Sequence, residues 1–304
     1  MSPSITSAET YNIASIPADG IGPEVIEAGI TALNALMDTL QTFKLNFKNY
    51  DWSSETYKKT GKYIPVGGLE ELKKHDAIFF DAVGAPDVPD HISLVFRGTE
   101  SPLRNCKAGD LDWVIIRENS EGEYAGQGGR SHQGKAWEVA TEVSIFSRVG
   151  VERMMRFAFE TAQKRPLDAM TTRMVLKPET LDTSVATNLH ADILSDLAAS
   201  LAGSIGIAPT SNLDPTRQYP SMFKPIHGSA FDITGIGISN PVATFWTAAE
   251  MLAWLGEEEA SKKLLVCVEN VCEQGVLTRD LVGKATTKEV TAAVVVEIKR
   301  LGSK

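Results

Sequence analysis

The chain has 304 residues, 43% hydrophobic and 23% charged, with a net charge of −9. That is enough for one large or two modest domains with a real apolar core. The acidic balance carries no basic stripe, which argues against nucleic acid as a partner, and an anionic substrate would need locally placed arginines. No apolar run approaches a membrane span, so no membrane partner is expected. Cys106, Cys267 and Cys272 are too sparse for a disulfide framework or a zinc site. Residues 1–10 lack a secretion pattern and residues 302–304 form no recognisable address signal, which leaves the cytoplasm as the default location.

In chain order, residues 11–17 read as a strand ending in the turn Ala18-Asp19-Gly20-Ile21-Gly22-Pro23. Pro23 stands where a first helical residue belongs, and Gly20 and Gly22 permit the sharp turn. Val25, Ile26, Ile30, Leu33 and Leu36 then recur at helical spacing, predicting a helix from 24 to about 40. Strand, glycine turn and helix open an α/β domain. A dinucleotide fingerprint would need a third glycine, which is absent, so topology alone explains the turn as well as a cofactor does.

Residues 43–50 and 77–83 read as strands, 68–74 as a short helix and 84–90 as a loop. The segment 110–117 contains the strand Trp113-Val114-Ile115-Ile116, which delivers Arg117, Glu118 and Asn119 at its end. Polar residues beyond the C-terminal end of a buried strand are well placed for ligands. The glycine-rich stretch 121–135 is a mobile loop or an extended arm, and 137–147 alternates like a strand. A helix over 151–164 stops before Pro166, and a short one covers 168–174. Residues 184–187 are a short apolar approach to the next helix, 204–212 a connection, and 234–240 a loop. Helices close the chain over 241–255, 257–275 and 287–301. There is no internal repeat, low-complexity tract or clear linker.

The helix opened by Thr187-Asn188-Leu189-His190 places Asp192 and Asp196 four residues apart, one above the other on one face. Such a pair is either left in solvent or given a divalent cation, and hard oxygen ligands suit Mg²⁺ or Mn²⁺. Ile193, Leu194, Leu197, Ala198 and Leu201 make the rest of this helix apolar. It therefore reads as mostly buried, with two charges that need a partner.

Four stretches, in order and spanning nearly the whole chain, resemble the β-decarboxylating dehydrogenases, the group of 3-isopropylmalate, isocitrate, D-malate and tartrate dehydrogenases. They are Pro17 through Val25, Arg117 through Tyr124, Asn188 through Asp196, and His227 through Asp232 with Asn240-Pro241. The tartrate and D-malate branch is the most similar, through Asn119-Ser120-Glu121-Gly122-Glu123-Tyr124 and His227-Gly228-Ser229-Ala230-Phe231-Asp232. The resemblance implies an α/β, isopropylmalate dehydrogenase-like fold over 1–304, a large mixed sheet flanked by helices and not a Rossmann fold. It implies two subdomains, 1–94 with 221–304 on the nucleotide side and 95–220 on the substrate, metal and dimer side.

The implied activity is NAD- and metal-dependent oxidation of a 2-hydroxy dicarboxylic acid, with decarboxylation of the β-keto acid as an optional second step. Asp192 and Asp196 match two of the three aspartates that hold Mg²⁺ or Mn²⁺, and Asp168 matches the third, which the family supplies from the neighbouring subunit of a homodimer. Asp168 also suits a helix N-cap. Arg117 matches an arginine that grips a substrate carboxylate, a bidentate task; a surface ion pair with Glu118 or Glu121 is the plainer account. Tyr124 matches the tyrosine that protonates the carbanion after CO₂ leaves; on residue type alone it would be a core tyrosine.

The run His227, Gly228, Ser229, Ala230 to Asp232 resembles an adenosine-binding loop. Asp232 would accept from the ribose hydroxyls and repel a 2′-phosphate, which favours NAD over NADP. Asn240 would contact adenine, and His227 has the plainer reading of a satisfied core histidine.

Two pieces of the family pattern are missing. After His91-Ile92-Ser93-Leu94 the chain passes through Val95-Phe96-Arg97 directly to Gly98, without further substrate arginines. After Arg165-Pro166 it continues at once to Leu167-Asp168, without the family's catalytic lysine; Lys164 and Lys177 stand in different contexts. Lys224 replaces a glutamate common in relatives. The alternative expectation is therefore a catalytically impaired homologue that binds metal, NAD or a partner subunit without turnover, and a misread gene would produce the same gaps.

Overall fold

The computed structural model describes residues 8–82, 91–94, 112–118, 121–163 and 183–302. In chain order the strands are β1 (Glu9–Ile16), β2 (Phe43–Asn49), β3 (Ala77–Phe80), β4 (His91–Leu94), β5 (Asp112–Arg117), β6 (Gly122–Ser131), β7 (Val139–Ile145), β8 (Thr183–Ala186), β9 (Pro209–Asn212) and β10 (Ser221–Pro225). The α-helices are α1 (Gly22–Leu40), α2 (Ser54–Thr60), α3 (Gly68–Leu72), α4 (Arg148–Ala162), α5 (Asn188–Ala202), α6 (Val242–Leu255), α7 (Glu258–Glu273) and α8 (Thr287–Leu301).

Five strands form a mixed sheet in the order β2-β1-β3-β10-β9, with β9 antiparallel and the other pairs parallel. Strands buried on both faces read as continuous apolar runs, and Ala77-Ile78-Phe79 is such a run, registered on Ile13-Ala14-Ser15. Ile13, Phe79 and Phe223 from this sheet meet Leu33 and Leu36 of α1, Trp246 of α6, Leu264 of α7 and Val294 of α8 in one core. Helix α6 is buried on nearly every side, as expected of a helix apolar all round. A capping box of Thr286 and Glu289 starts α8.

A second sheet, β4-β5-β8, pairs β5 in parallel with β8, so Arg117 lies opposite Ala186. The glycine-rich stretch after it is an arm: β6 and β7 form an antiparallel hairpin whose β7 residues are all exposed. Helix α4 begins at Arg148, three residues earlier than the apolar pattern indicates, because the Ser147 hydroxyl accepts from Gly150 N at 3.0 Å and caps it. Helix α2, β8 and β9 are elements the pattern did not mark. They are short, and α2 buries no side chain; its signals are the Ser53 cap and the left-handed Gly61 that ends it.

The acidic helix departs from its expected burial. Ala191, Ser195, Ala198, Ala199 and Leu201 of α5 are buried, but Ile193 is 58% and Leu197 36% exposed. Among the described residues, α5 packs Ala191, Ala198 and Leu201 with Trp113 and Ile115 of β5, and Ala199 with Ala208 and Ile226. The predicted short helix over 168–174, and Cys106, lie outside the described residues. Among the described residues no helix is long and apolar enough to cross a membrane. Cys267 and Cys272 are buried, and burial pushes their thiols up to about 11 and about 12, which makes them unreactive.

Candidate functional site

The segment from Arg117 to Tyr124 is a junction of four elements. Arg117 ends β5 and its side chain is 2% exposed. It donates from Nη1 to Asp192 Oδ1 at 2.9 Å and from Nε to Asn188 Oδ1 at 2.8 Å. Its ion pair is thus made with α5 and is buried, unlike the surface pair with Glu118 or Glu121. Those two glutamates are structural. Glu118, buried, accepts from Glu121 N and faces Arg153 of α4 at 3.3 Å, and Glu121 accepts from the Ser147 backbone and hydroxyl at the start of α4.

Glu123 holds the N-terminus of α5. It accepts from Leu189 N at 3.2 Å and from the Thr187 hydroxyl at 2.9 Å, filling a role that Thr187, the N-cap residue, does not perform with its own side chain. Burial alone would raise the Glu123 carboxyl, but its own backbone N–H, these two donors and the nearby His190 outweigh it and hold it below the ordinary carboxylate range. Gly122 has φ +89 and lies where an added Cβ would touch Phe146 and Asn188, so the chain turns closely past α5 before Tyr124.

Tyr124 is half exposed rather than a core residue. Its hydroxyl lies 3.5 Å from Asp192 Oδ2, and the Arg117 guanidinium sits 5.9 Å from its ring centroid. Arg117, Tyr124 and Asp192 are therefore brought together, with Asp196 one turn further along α5. Partial burial, then repulsion from Asp192, raises the Asp196 carboxyl, against the pull of Arg117. A dication would remove that repulsion, and two carboxylates one turn apart are the hard oxygen donors Mg²⁺ or Mn²⁺ takes. Asp168, the third expected donor, lies outside the described residues, and among those described no group of three metal-ligating side chains forms.

The second group of expected residues lies at the C-terminal ends of β1, β3 and β10. Its loop, 226–232, is locked to the glycine turn after β1. Ile21 N donates to Ser229 O at 2.9 Å, and a Cβ on Gly20, at φ +61, would stand 1.8 Å from that same oxygen. The glycine turn is thus fitted to this loop and is more than a connection. His227 and Ser229 are buried, Gly228 and Asp232 are exposed, and Ala230 takes a left-handed φ of 41°. Asp232 sits in a single 3-10 turn, Phe231–Ile233.

Asn240 is buried with its amide already oriented. Its Nδ2 donates to Asp280 Oδ2 at 2.7 Å and its Oδ1 accepts from Val242 N at 3.0 Å, the start of α6. Asp280 also accepts from Ser204 Oγ at 2.8 Å and Thr278 Oγ1 at 2.6 Å. Sequence reasoning missed Asp280, Glu123 and Asn188, because each acts through a partner tens of residues away.

A family model described as isocitrate/isopropylmalate dehydrogenase matches residues 12–95, 93–167 and 165–294. The match breaks at the two points where the family pattern is interrupted in the sequence. A probable tartrate dehydrogenase/decarboxylase of Agrobacterium vitis is 54% identical over 345 aligned positions, covering 93% of this chain and 95% of that protein. The D-malate dehydrogenase [decarboxylating] of Escherichia coli (strain K12) is 39% identical, covering 94% and 98%. Both alignments are longer than the 304-residue chain, so these relatives carry segments it lacks. Among solved structures, an isocitrate dehydrogenase from Methylococcus capsulatus superposes with a TM-score of 0.81 at 26% identity, covering 95% of this chain and 99% of that one.

Proposed function

The chain belongs to the isocitrate/isopropylmalate dehydrogenase family, and we propose that within it the chain is an NAD- and Mg²⁺- or Mn²⁺-dependent oxidoreductase that oxidises, and then decarboxylates, a 2-hydroxy dicarboxylic acid of the tartrate or D-malate kind. The observation that carries this reading is the cluster of Arg117, Tyr124 and Asp192, which sets a guanidinium, a phenol and a carboxylate side by side.

In this scheme the Arg117 guanidinium grips one substrate carboxylate, a contact that needs it to exchange part of its hold on Asp192. Asp192 and Asp196, with Asp168 from a second copy, hold the metal. A bound metal would lower the pKa of the substrate hydroxyl, whose proton would leave to water, and would supply charge for the enolate. His227, Gly228, Ser229, Ala230, Asp232 and Asn240 would hold NAD, which would supply the acceptor for the hydride on the hydroxyl carbon. The β-carboxylate then leaves as CO₂, and the Tyr124 phenol returns a proton to the carbon it left.

No lysine stands in the family's position for relaying the hydroxyl proton, and such help is worth roughly 10²–10⁴ in rate. The breaks in the family match therefore favour a second reading, an impaired relative that binds without turnover. A homodimer accords with the apolar side chains left exposed on the arm, α4 and α5: Trp137 at 65%, Val149 at 74%, Phe159 at 64% and Ile193 at 58%. The deciding experiment follows NADH absorbance with tartrate, D-malate and 3-isopropylmalate, with and without Mn²⁺, beside calorimetry of NAD binding. Metal-dependent NADH formation supports the first reading. NAD binding without turnover supports the second, and the absence of both signals defeats the first reading and the NAD-binding form of the second.

A further inference from the structure

The groups proposed above to take the metal and the substrate carboxylate are occupied by each other. The Arg117 guanidinium is held along two edges. Its Nε donates to Asn188 Oδ1 at 2.8 Å, Nη2 reaches the same oxygen, and Nη1 donates to Asp192 Oδ1 at 2.9 Å. The Asn188 edge is fixed. Asn188 is buried at the first turn of α5, and its Nδ2 donates to Glu121 O at 3.3 Å. An amide anchored through its nitrogen keeps its oxygen turned to the guanidinium. The Asp192 edge is looser. Its side chain is 24% exposed against 2% for Arg117, and the Tyr124 hydroxyl stands 3.5 Å from its other oxygen, Oδ2. Nη1 can therefore change partner while Nε and Nη2 stay on Asn188.

Charge makes that exchange consequential. Asp192 and Asp196 present two negative charges one turn apart, and Arg117 at ion-pair distance cancels one of them. A dication approaching the carboxylates competes with the guanidinium for Asp192 and is repelled by it. A carboxylate approaching Arg117 meets the same obstacle with the signs reversed, since Asp192 holds one of the donors it needs. Whichever ligand comes first breaks the pair and leaves the other group free for the second. Such a coupling acts equally in both directions.

We infer that the Arg117–Asp192 pair is a latch, closed in the ligand-free chain, through which the dication and a substrate carboxylate each hinder themselves and assist each other. The inference rests on the reading of Asp192 as a metal ligand and Arg117 as the carboxylate grip. It adds that the two sites are locked together before either is filled.

Calorimetry with one ligand at a time separates a latch from a brace between β5 and α5. The first arm titrates Mn²⁺ into protein free of carboxylic acids. The Kd is expected to fall about tenfold in Arg117→Gln, a usual size for such couplings. Arg153→Gln removes the same charge from α4, where it faces Glu118, and is expected to leave the Kd unchanged. A Kd in Arg117→Gln that is unchanged or higher, or a fall matched by Arg153→Gln, overturns the latch. The second arm titrates succinate, a dicarboxylate without a hydroxyl, into protein held in chelator. Asp192→Asn keeps the shape and one acceptor oxygen and loses the charge, and is expected to bind succinate about tenfold more tightly than the wild type. Unchanged or weaker binding, or none by either protein, overturns the latch; a brace predicts weakening in both variants. If Arg117→Gln does not fold, the succinate arm decides alone. Mn²⁺ bound by neither the wild type nor Arg117→Gln defeats the metal reading by itself, and the succinate arm still decides whether Asp192 guards Arg117.

Discussion

Arg117 and Asp192, seventy-five residues apart, form a buried ion pair at 2.9 Å, the arginine side chain 2% and the aspartate side chain 24% exposed. The pair joins the end of β5 to α5 and couples the expected substrate grip to the expected metal ligand. Arg117→Gln removes the positive charge facing Asp192 and the guanidinium fork that also reaches Asn188. Thermal unfolding is expected to show a loss of about 3 kcal/mol, the scale for breaking one side of a buried pair, together with loss of turnover. Arg117→Lys keeps the charge but not the planar fork, and is expected to recover part of the stability and little of the substrate affinity.

Asp196 is expected to oppose folding at neutral pH without metal. Partial burial and Asp192 raise its carboxyl above the ordinary 3.8, so the folded chain holds that proton where the unfolded chain has released it. Stability from this group falls as pH rises from the unfolded value through the folded one. In chelator, Asp196→Asn should therefore match or exceed the wild type in denaturant midpoint at neutral pH. Added Mn²⁺ should reverse the order: at about a hundredfold over Kd it stabilises the wild type by about 2.7 kcal/mol and leaves the variant unmoved.

Glu123 carries the opposite pH sign. Its carboxyl lies below the usual range because its own backbone N–H, the Thr187 hydroxyl, the Leu189 N–H and the nearby His190 together outweigh the effect of burial, so its contribution is present above the unfolded pKa and is lost as pH falls through the folded one. Glu123→Gln is expected to cost about 1 kcal/mol at neutral pH, the scale of a lost cap, and to flatten the acid limb of the stability profile. Faster amide exchange should appear at the start of α5.

Asp280 orients Asn240 from 40 residues away. Asp280→Ala frees the Asn240, Ser204 and Thr278 donors together, with an expected cost of about 1–3 kcal/mol for the buried amide left unsatisfied. The KM for NAD should rise more than kcat falls. Equal effects on both would assign Asp280 to the fold alone.

Phe159 and Ile193 lie exposed on α4 and α5. If the proposed dimer forms through this face, Phe159→Glu with Ile193→Asp is expected to give a monomer in sedimentation and to abolish metal-dependent turnover with it, because the proposed Asp168 of the second copy would be withdrawn. A monomer with full activity would exclude the shared metal site.

Local order was legible in the residues themselves. The apolar spacing from Val25 to Leu36, the Pro23 start and the closing helices correspond to α1, α6, α7 and α8, since period and capping are written in neighbouring positions. The resemblance in the motifs at 117–124, 188–196 and 227–232 identified the family and picked out Arg117, Tyr124 and Asp192 as candidates. Contact between them was settled only in three dimensions. That Arg117 faces Asp192, that Glu123 caps α5 and that the glycine turn fits Ser229 all join residues distant in sequence. Strand pairing and burial bring such residues together, and neither leaves a trace in the spacing of adjacent side chains. The same holds for Ile193 and Leu197: composition made them core residues, but only the packing of α5 left them outward.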